Sequence, residues 1–300
     1  MKAALVIIVL LSVLLNGCSP DPVLDLAEVE TRARMGEAAA MEQLVELLAG
    51  PDESVADRAY AVLVDLGARA VPVLTDGLTT TDRQQREYLV AALGTLKATG
   101  AIDRIAAILA ERSLQRRYVA AWALGEINDP AVVLPLIGAL SDDNPEVRRY
   151  ATRALIKVNR PAVPQLVAYL DTAEGEGAAA AIRALGDIAD PRALPALLAK
   201  VESPQRGEVF LALGKLRDSR AEQALVAGLA DPDWQVRMNA AMALGPLGGP
   251  AAAAKLRTTL DDEVHVVREW SARSLEMITG QPVVYRNSKG EMVRPYNLYR

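Results

Sequence analysis

The chain has 300 residues and a formal net charge of −5; 51% of its residues are hydrophobic but only 4% are aromatic. The apolar load is Ala, Leu and Val, which suits helices packed closely through small side chains. One His and one Cys exclude a His-built metal cage, a cysteine protease and a serine triad for want of ligands and bases, and the acidic balance gives no electrostatic footprint for nucleic acid.

Lys2 is followed by an uncharged, mostly apolar run from Ala3 to Leu15, then by Asn16, Gly17, Cys18, Ser19 and Pro20. A basic start, an apolar stretch of this length and a small residue before a cut describe an export signal. The run is short of the roughly 20 apolar residues of a stable membrane span. Leu15, Asn16, Gly17 and Cys18 resemble the lipobox of bacterial lipoproteins, with Asn16 a mild departure; an ordinary signal peptide with a coincidental cysteine is the alternative. The resemblance implies a signal peptide over residues 1–17 and a mature chain that begins at an acylated Cys18. Residues 18–36 then form a lipidated tether and N-terminal cap. Several acyl chains hold a protein at a membrane far more firmly than one. Ser19 after the cysteine favours the outer membrane facing the periplasm, with other leaflets left open.

Residues 37–279 repeat. Leu66, Leu93, Leu124, Leu155, Leu185, Leu213, Leu244 and Leu275 recur at spacings of 27 to 31 residues. Gly follows six of them (Gly67, Gly94, Gly125, Gly186, Gly214 and Gly245), which reads as a helix C-terminal signal. Ile156 and Glu276 stand in its place elsewhere, so those helices are expected to run on or end differently. A second apolar run lies between landmarks. Asp129-Pro130 and Asp190-Pro191 open it with a capping carboxylate and a proline at the first helical position. Each unit is helix, turn, helix.

Eight such units are similar to HEAT repeats of the short kind first noted in phycobilisome lyases. The segments NPEVRRYATRAL (residues 144–155) and DWQVRMNAAMALG (residues 233–245) carry the likeness. Pro72, Pro135, Pro164 and Pro195 fall where HEAT first helices are often bent. The resemblance implies an all-α fold, a right-handed α-solenoid of about eight two-helix repeats, in which each repeat buries its apolar face against its neighbours.

On the second helix of each repeat, Leu and Ala share the core face. Seven residues before the landmark Leu stand Arg86, Arg117, Arg148, Arg206, Arg237 and Arg268. Their core-side position, and acids nearby such as Asp82, Asp142, Asp231 and Asp262, predict Arg–Asp pairing between successive repeats rather than a phosphate site. The opposite face gathers Tyr60, Tyr88, Tyr118, Trp122, Arg149, Tyr150, Arg153, Arg183, Met238, Met242, Trp270 and Arg273. The resemblance places this stripe on the concave surface, and its residue types are those enriched at interface hot spots. Tyr118 and Trp122, one turn apart, are expected to project side by side.

Residues 280–300 form a tail in which Arg286, Lys289, Arg294 and Arg300 face Glu291 alone. Residues 283–293 read as a small hairpin around a turn, either a cap on the last repeat or a binding arm. His265, near Asp261, Asp262 and Glu263, reads as a solvated surface histidine rather than a ligand. The iron-dependent hydroxylases built on similar repeats use several His-Glu pairs, which this chain lacks. Glu174, Gly175, Glu176 and Gly177 match neither a P-loop nor a dinucleotide fingerprint and read as a loose turn. The whole predicts a monomeric, lipid-anchored envelope protein, neither an enzyme nor a cofactor or metal carrier. Its solenoid groove binds another protein or peptide and no nucleic acid. A phycobilin-lyase-like protein handling a small ligand is the alternative.

Overall fold

The computed structural model describes residues 25–295. The expected signal peptide, Cys18 and the last tail residues, 296–300, lie outside the described residues. The chain divides into two compact units, Met1–Ala92 and Leu93–Arg300, taken here in turn.

In the first unit α1 (Leu26–Arg34) precedes two helix pairs, α2 (Ala38–Leu47) with α3 (Glu53–Asp65) and α4 (Val71–Gly77) with α5 (Arg83–Thr95). Asp52 caps α3 by accepting a hydrogen bond from the Ser54 N–H, which satisfies a donor the first turn leaves free. Leu44, Leu48, Leu63, Leu74 and Leu89 are fully buried between the helices. Arg58 on α3 pairs with the buried Glu30 on α1.

The second unit stacks six further pairs: α6 (Ile102–Ala110) and α7 (Tyr118–Ile127), α8 (Val133–Gly138) and α9 (Pro145–Val158), α10 (Val163–Thr172) and α11 (Gly175–Ile188), α12 (Leu194–Leu198) and α13 (Arg206–Leu216), α14 (Glu222–Gly228) and α15 (Trp234–Leu247), α16 (Pro250–Thr258) and α17 (His265–Thr279). The fold is an all-α solenoid. Leu93, Leu124, Leu155, Leu185, Leu213, Leu244 and Leu275 are all buried. Successive second helices pack on one another, so each repeat covers the apolar face of the next. Asn144 and Asp233 cap α9 and α15 through the N–H groups of Glu146 and Gln235. The first helices α4, α6, α8, α10, α12 and α14 each open with a 3-10 turn, whereas α2 and α16 do not. Asp129 and Asp190 cap two of these turns through the N–H groups of Ala131 and Arg192. Pro72, Pro164 and Pro195 sit in the first turn of the α-helix that follows, where a missing N–H costs nothing.

Of the six landmark glycines, Gly67 follows the end of α3 in the left-handed conformation that a helix end uses, and the other five do not end helices. Gly94, Gly125, Gly186, Gly214 and Gly245 lie inside α5, α7, α11, α13 and α15; of the six only Gly67 has a positive φ. The five are packing notches. A Cβ on Gly125 would stand 2.7 Å from the Cβ of Ala154 on α9, and one on Gly186 or Gly214 would stand 2.7 Å from Ala212 or Ala243. No two carbons pack that closely, so the next second helix seats a small residue against bare backbone. The helix ends come three or so residues later, at left-handed Asn128, Ala189, Arg217 and Gly280. Ile156 does not change where α9 stops. Its helix ends at Val158, three residues past its landmark leucine as α7 does at Ile127.

One local expectation also gives way. Gly175–Gly177 is the first turn of α11 and not a loose loop; Gly177 is buried there against Tyr169. His265 is the exposed first residue of α17. The tail forms a hairpin of β1 (Tyr285–Arg286) and β2 (Met292–Val293), antiparallel with Tyr285 opposite Val293. Tyr285 is buried, the Val283 N–H donates to Glu276 Oε1, and Arg294 pairs with the same carboxylate. Among the described residues no helix is long and apolar enough to cross a membrane.

Candidate functional site

The arginine ladder is real at some rungs and broken at others. Arg117 grips Asp142 of the next repeat two-pronged, Nη1–Oδ2 2.6 Å and Nη2–Oδ1 3.0 Å, and Asp142 also takes the Asn144 N–H at the head of α9. Burial pushes the Asp142 carboxyl up, but the hydrogen bonds from Arg117 and the Asn144 N–H outweigh it and leave the carboxyl below its ordinary value. Arg206 and Arg237 hold Asp231 and Asp262 in the same forked way, again one repeat on. The acid therefore belongs to the following repeat's loop, where it both receives the arginine and accepts the N–H of the residue that caps its own second helix.

Arg86 and Arg148 depart from the expected pairing. Arg86 donates to the carbonyl oxygens of Thr80 and Thr81, while Asp82 accepts from the Gln85 N–H. Arg148 donates to the carbonyl oxygens of Asp142 and Asp143 in its own repeat. Arg117, Arg206 and Arg237 each find an aspartate 25 residues on, but the residue 25 past Arg148 is Ala173. Arg148 approaches only Glu176, at 3.9 Å. Arg268, on the last described helix, donates to the carbonyl oxygens of Arg286 and Asn287 in the tail hairpin.

The aromatic and cationic stripe lies on the second helices, partly exposed throughout. In the first unit Tyr60 and Tyr88 meet at 5.7 Å, and the Tyr88 hydroxyl donates to Asp57 at 2.6 Å, which pushes the phenol up to about 12. In the second unit Tyr118 stands one turn before Trp122 on α7 and has a ring partner in the next repeat. It stacks across the helix boundary on Tyr150, centroids 5.2 Å apart at 27°. Arg116 and Arg149 lie over these two rings. Arg273 lies over Trp270 and pairs with Glu269. Met238 and Met242 are half-buried on α15.

Three hollows follow one another along this face. The first, about 210 Å³, lies between α7 and α9 and is lined by Trp122, Glu126, Tyr150, Arg153 and Lys157. The second, about 310 Å³, lies between α9 and α11 and is lined by Arg148, Arg149, Arg153, Ile156, Glu176, Arg183 and Asp187 among others. The third, about 390 Å³, spans α11, α13 and α15 past Asp187, Lys215, Arg217 and Met242. Arg153 lines the first two and Asp187 the last two, so each hollow adjoins the next. Sequence reasoning missed Glu126, Lys157, Asp187 and Lys215. They pair as Glu126–Lys157 and Asp187–Lys215 across neighbouring second helices. The signal was available: each stands two residues past its landmark leucine, with opposite charges in adjacent repeats. Among the described residues no group of His, Cys, Asp and Glu could hold a metal ion.

The HEAT repeats family matches residues 102–178, 133–210 and 202–276, and the chain belongs to it. Among proteins of known role, the phycocyanobilin lyase subunit beta of Nostoc sp. (strain PCC 7120) is 39% identical over 70 residues, 23% of this chain and 35% of that protein. The chain thus aligns with about a third of that relative's length. Similar solved structures include human deoxyhypusine hydroxylase (24% identity, 85% of this chain and 100% of that chain, TM-score 0.38) and the complex of CpcE and CpcF of phycocyanin lyase from Nostoc sp. PCC7120 (24% identity, 68% and 86%, TM-score 0.37). The expectation of a chain outside enzyme chemistry does not stand, because the curated relative it resembles is itself a lyase subunit.

Proposed function

We propose that the chain binds another protein or peptide along the second-helix face of its second unit, as a monomer anchored to the bacterial cell envelope by acyl chains on Cys18. The carrying observation is the row of three adjoining hollows, which share Arg153 and Asp187 and are edged by Trp122, Tyr150 and Met242. Aromatic, Met and Arg side chains around adjoining concavities are what an extended segment needs for anchoring. The apolar run from Ala3 to Leu15 and the lone cysteine after Gly17 support export and anchoring, with the outer membrane favoured by Ser19. A photo-crosslinking side chain placed at Tyr118, Trp122, Arg153 or Met242 of the full chain in cells should trap a discrete protein adduct. No adduct at any of the four positions would overturn the reading. Cys18→Ala should leave an unacylated precursor; normal detergent-phase partitioning of that variant would overturn the anchor.

A second reading follows from the 39% identity to a phycocyanobilin lyase subunit: the same hollows would handle a small ligand as an enzyme or as one subunit of it. Titrating phycocyanobilin with the purified chain tests this. A shifted and sharpened absorption spectrum is expected under that reading, and an unchanged spectrum rejects it.

A further inference from the structure

The repeat pattern fails in three ways at one place. At the α9–α11 junction the notch glycine is replaced by Ile156, the ladder aspartate by Ala173 and the next ladder arginine by Ala178. Ile156 stands where Gly125, Gly186 and Gly214 admit a small residue of the next helix, and it lines the 310 Å³ cleft. Four arginines line that cleft: Arg148, Arg149, Arg153 and Arg183. Its two carboxylates are already engaged, Asp187 by Lys215 at 2.6 Å and Glu176 loosely by Arg148 at 3.9 Å. Arg149 and Arg183 have exposed partners in Glu146 and Glu208, at 3.3 and 3.8 Å. Arg153, exposed and shared with the hollow of Trp122 and Tyr150, has neither an ion pair nor a hydrogen bond among the described residues.

We infer that the α9–α11 cleft is a subsite for an acidic peptide segment of the partner, with one carboxylate received by Arg153 beside Arg148 and the neighbouring aromatic residue seated against Trp122 and Tyr150. Arg148 has the fork that elsewhere in the ladder holds an aspartate, and no aspartate of its own; an incoming carboxylate supplies the missing rung. The adjoining hollow is apolar on its aromatic side, so charge and ring would be read together. This inference rests on the proposed partner-binding role of the face and specifies its chemistry.

The test uses the full chain and a short fluorescein-labelled peptide of alternating Asp and Phe, followed by anisotropy. Binding is expected, weakening on addition of salt. Arg153→Glu should weaken it by about tenfold or more, as loss of a hot-spot arginine does, and Arg183→Glu by less. Reversing a charge elsewhere, as in Arg257→Glu, should leave affinity unchanged. A peptide of alternating Ser and Phe should bind poorly. Because Arg153 is exposed and unpaired, its variant should keep the melting temperature. Equal affinity for the parent and Arg153→Glu, or displacement by inorganic phosphate at the peptide's own concentration, would overturn the subsite. Crosslinked adducts at Trp122 that persist unchanged in Arg153→Glu would overturn it while leaving partner binding intact; absence of every adduct would instead remove the broader reading.

Discussion

Arg268 Nε lies 2.7 Å from the carbonyl oxygen of Arg286, in the place where Arg117, Arg206 and Arg237 each meet an aspartate of the following repeat. Among the described residues the hairpin follows the last helix pair directly, and it supplies backbone oxygens instead. The open end of a solenoid needs such a cover, because each repeat is built to bury its face on a neighbour. Deleting residues 281–300 removes these acceptors, the buried Tyr285 and the Val283 bond to Glu276. Hydrogen exchange should then show α17 losing protection first, with α7 and α9 little changed. Uniform protection in the truncated chain would mean that the hairpin is not the cap.

Asp142 carries two duties at once, receiving the Arg117 fork and accepting the N–H of Asn144, the residue that caps α9. Both partners of the pair are only 7% exposed. Asp142→Ala leaves a guanidinium buried without a counter-charge and should cost about 3 kcal/mol of stability. Asp143 is its neighbour in sequence, but its ion pair with Arg112 is open to water, with side chains 65% and 89% exposed. Asp143→Ala should cost less than about 0.5 kcal/mol. Urea unfolding of the two variants side by side measures the contrast, and equal losses would contradict it.

Much of the fold was legible because the solenoid writes its period into the chain. The landmark leucines are buried as a set, and the second-helix arginines at Arg117, Arg206 and Arg237 do bridge repeats. The glycines misled because two different needs select the same residue. A Gly at the end of an apolar run signals a left-handed cap, yet it equally permits close helix contact, and only the neighbour across the interface distinguishes the two. The hollows were not legible for a similar reason. Arg153 and Asp187 are far apart in the chain, and their sharing of adjacent cavities depends on how α9 and α11 stack. The stack of Tyr118 on Tyr150 was not legible either, since it crosses between repeats.

The notch reading of the glycines has its own consequence. Gly125→Val forces a side chain into the space of Ala154, whose Cβ would lie 2.7 Å from the new Cβ. The helices must part, and overpacking of this kind typically costs about 1–3 kcal/mol. Had Gly125 served as a helix end, valine would have cost mainly its left-handed strain and altered the helix length. Circular dichroism and melting temperature together separate the two: unchanged helicity with a lowered melting temperature is expected. Ile156→Val, at the junction without a notch, should change stability by no more than about 1 kcal/mol.

The acid side of the stability profile follows from the same carboxylates. Asp190, hydrogen-bonded by the Arg192 side chain and N–H, has its pKa lowered to about 2. The carboxyls of Asp142 and Asp231 are lowered too: burial works against this, but the hydrogen bonds from Arg117 and Arg206 and from the N–H groups of Asn144 and Asp233 prevail. A carboxyl with a lower pKa folded than unfolded binds fewer protons in the folded chain, so unfolding takes up protons. The stabilisation is complete above the unfolded value, about pH 4, and is lost as pH falls through the folded value. Thermal unfolding should therefore be nearly flat from pH 7 to about 5 as far as these groups are concerned, then fall between pH 4 and about 2. Asp142→Asn should be less stable at neutral pH and fall less steeply in that window, because it has no proton to take up. A variant whose melting temperature kept the parent's slope would show that Asp142 contributes nothing to the acid transition, and that the buried fork with Arg117 is not what acid undoes.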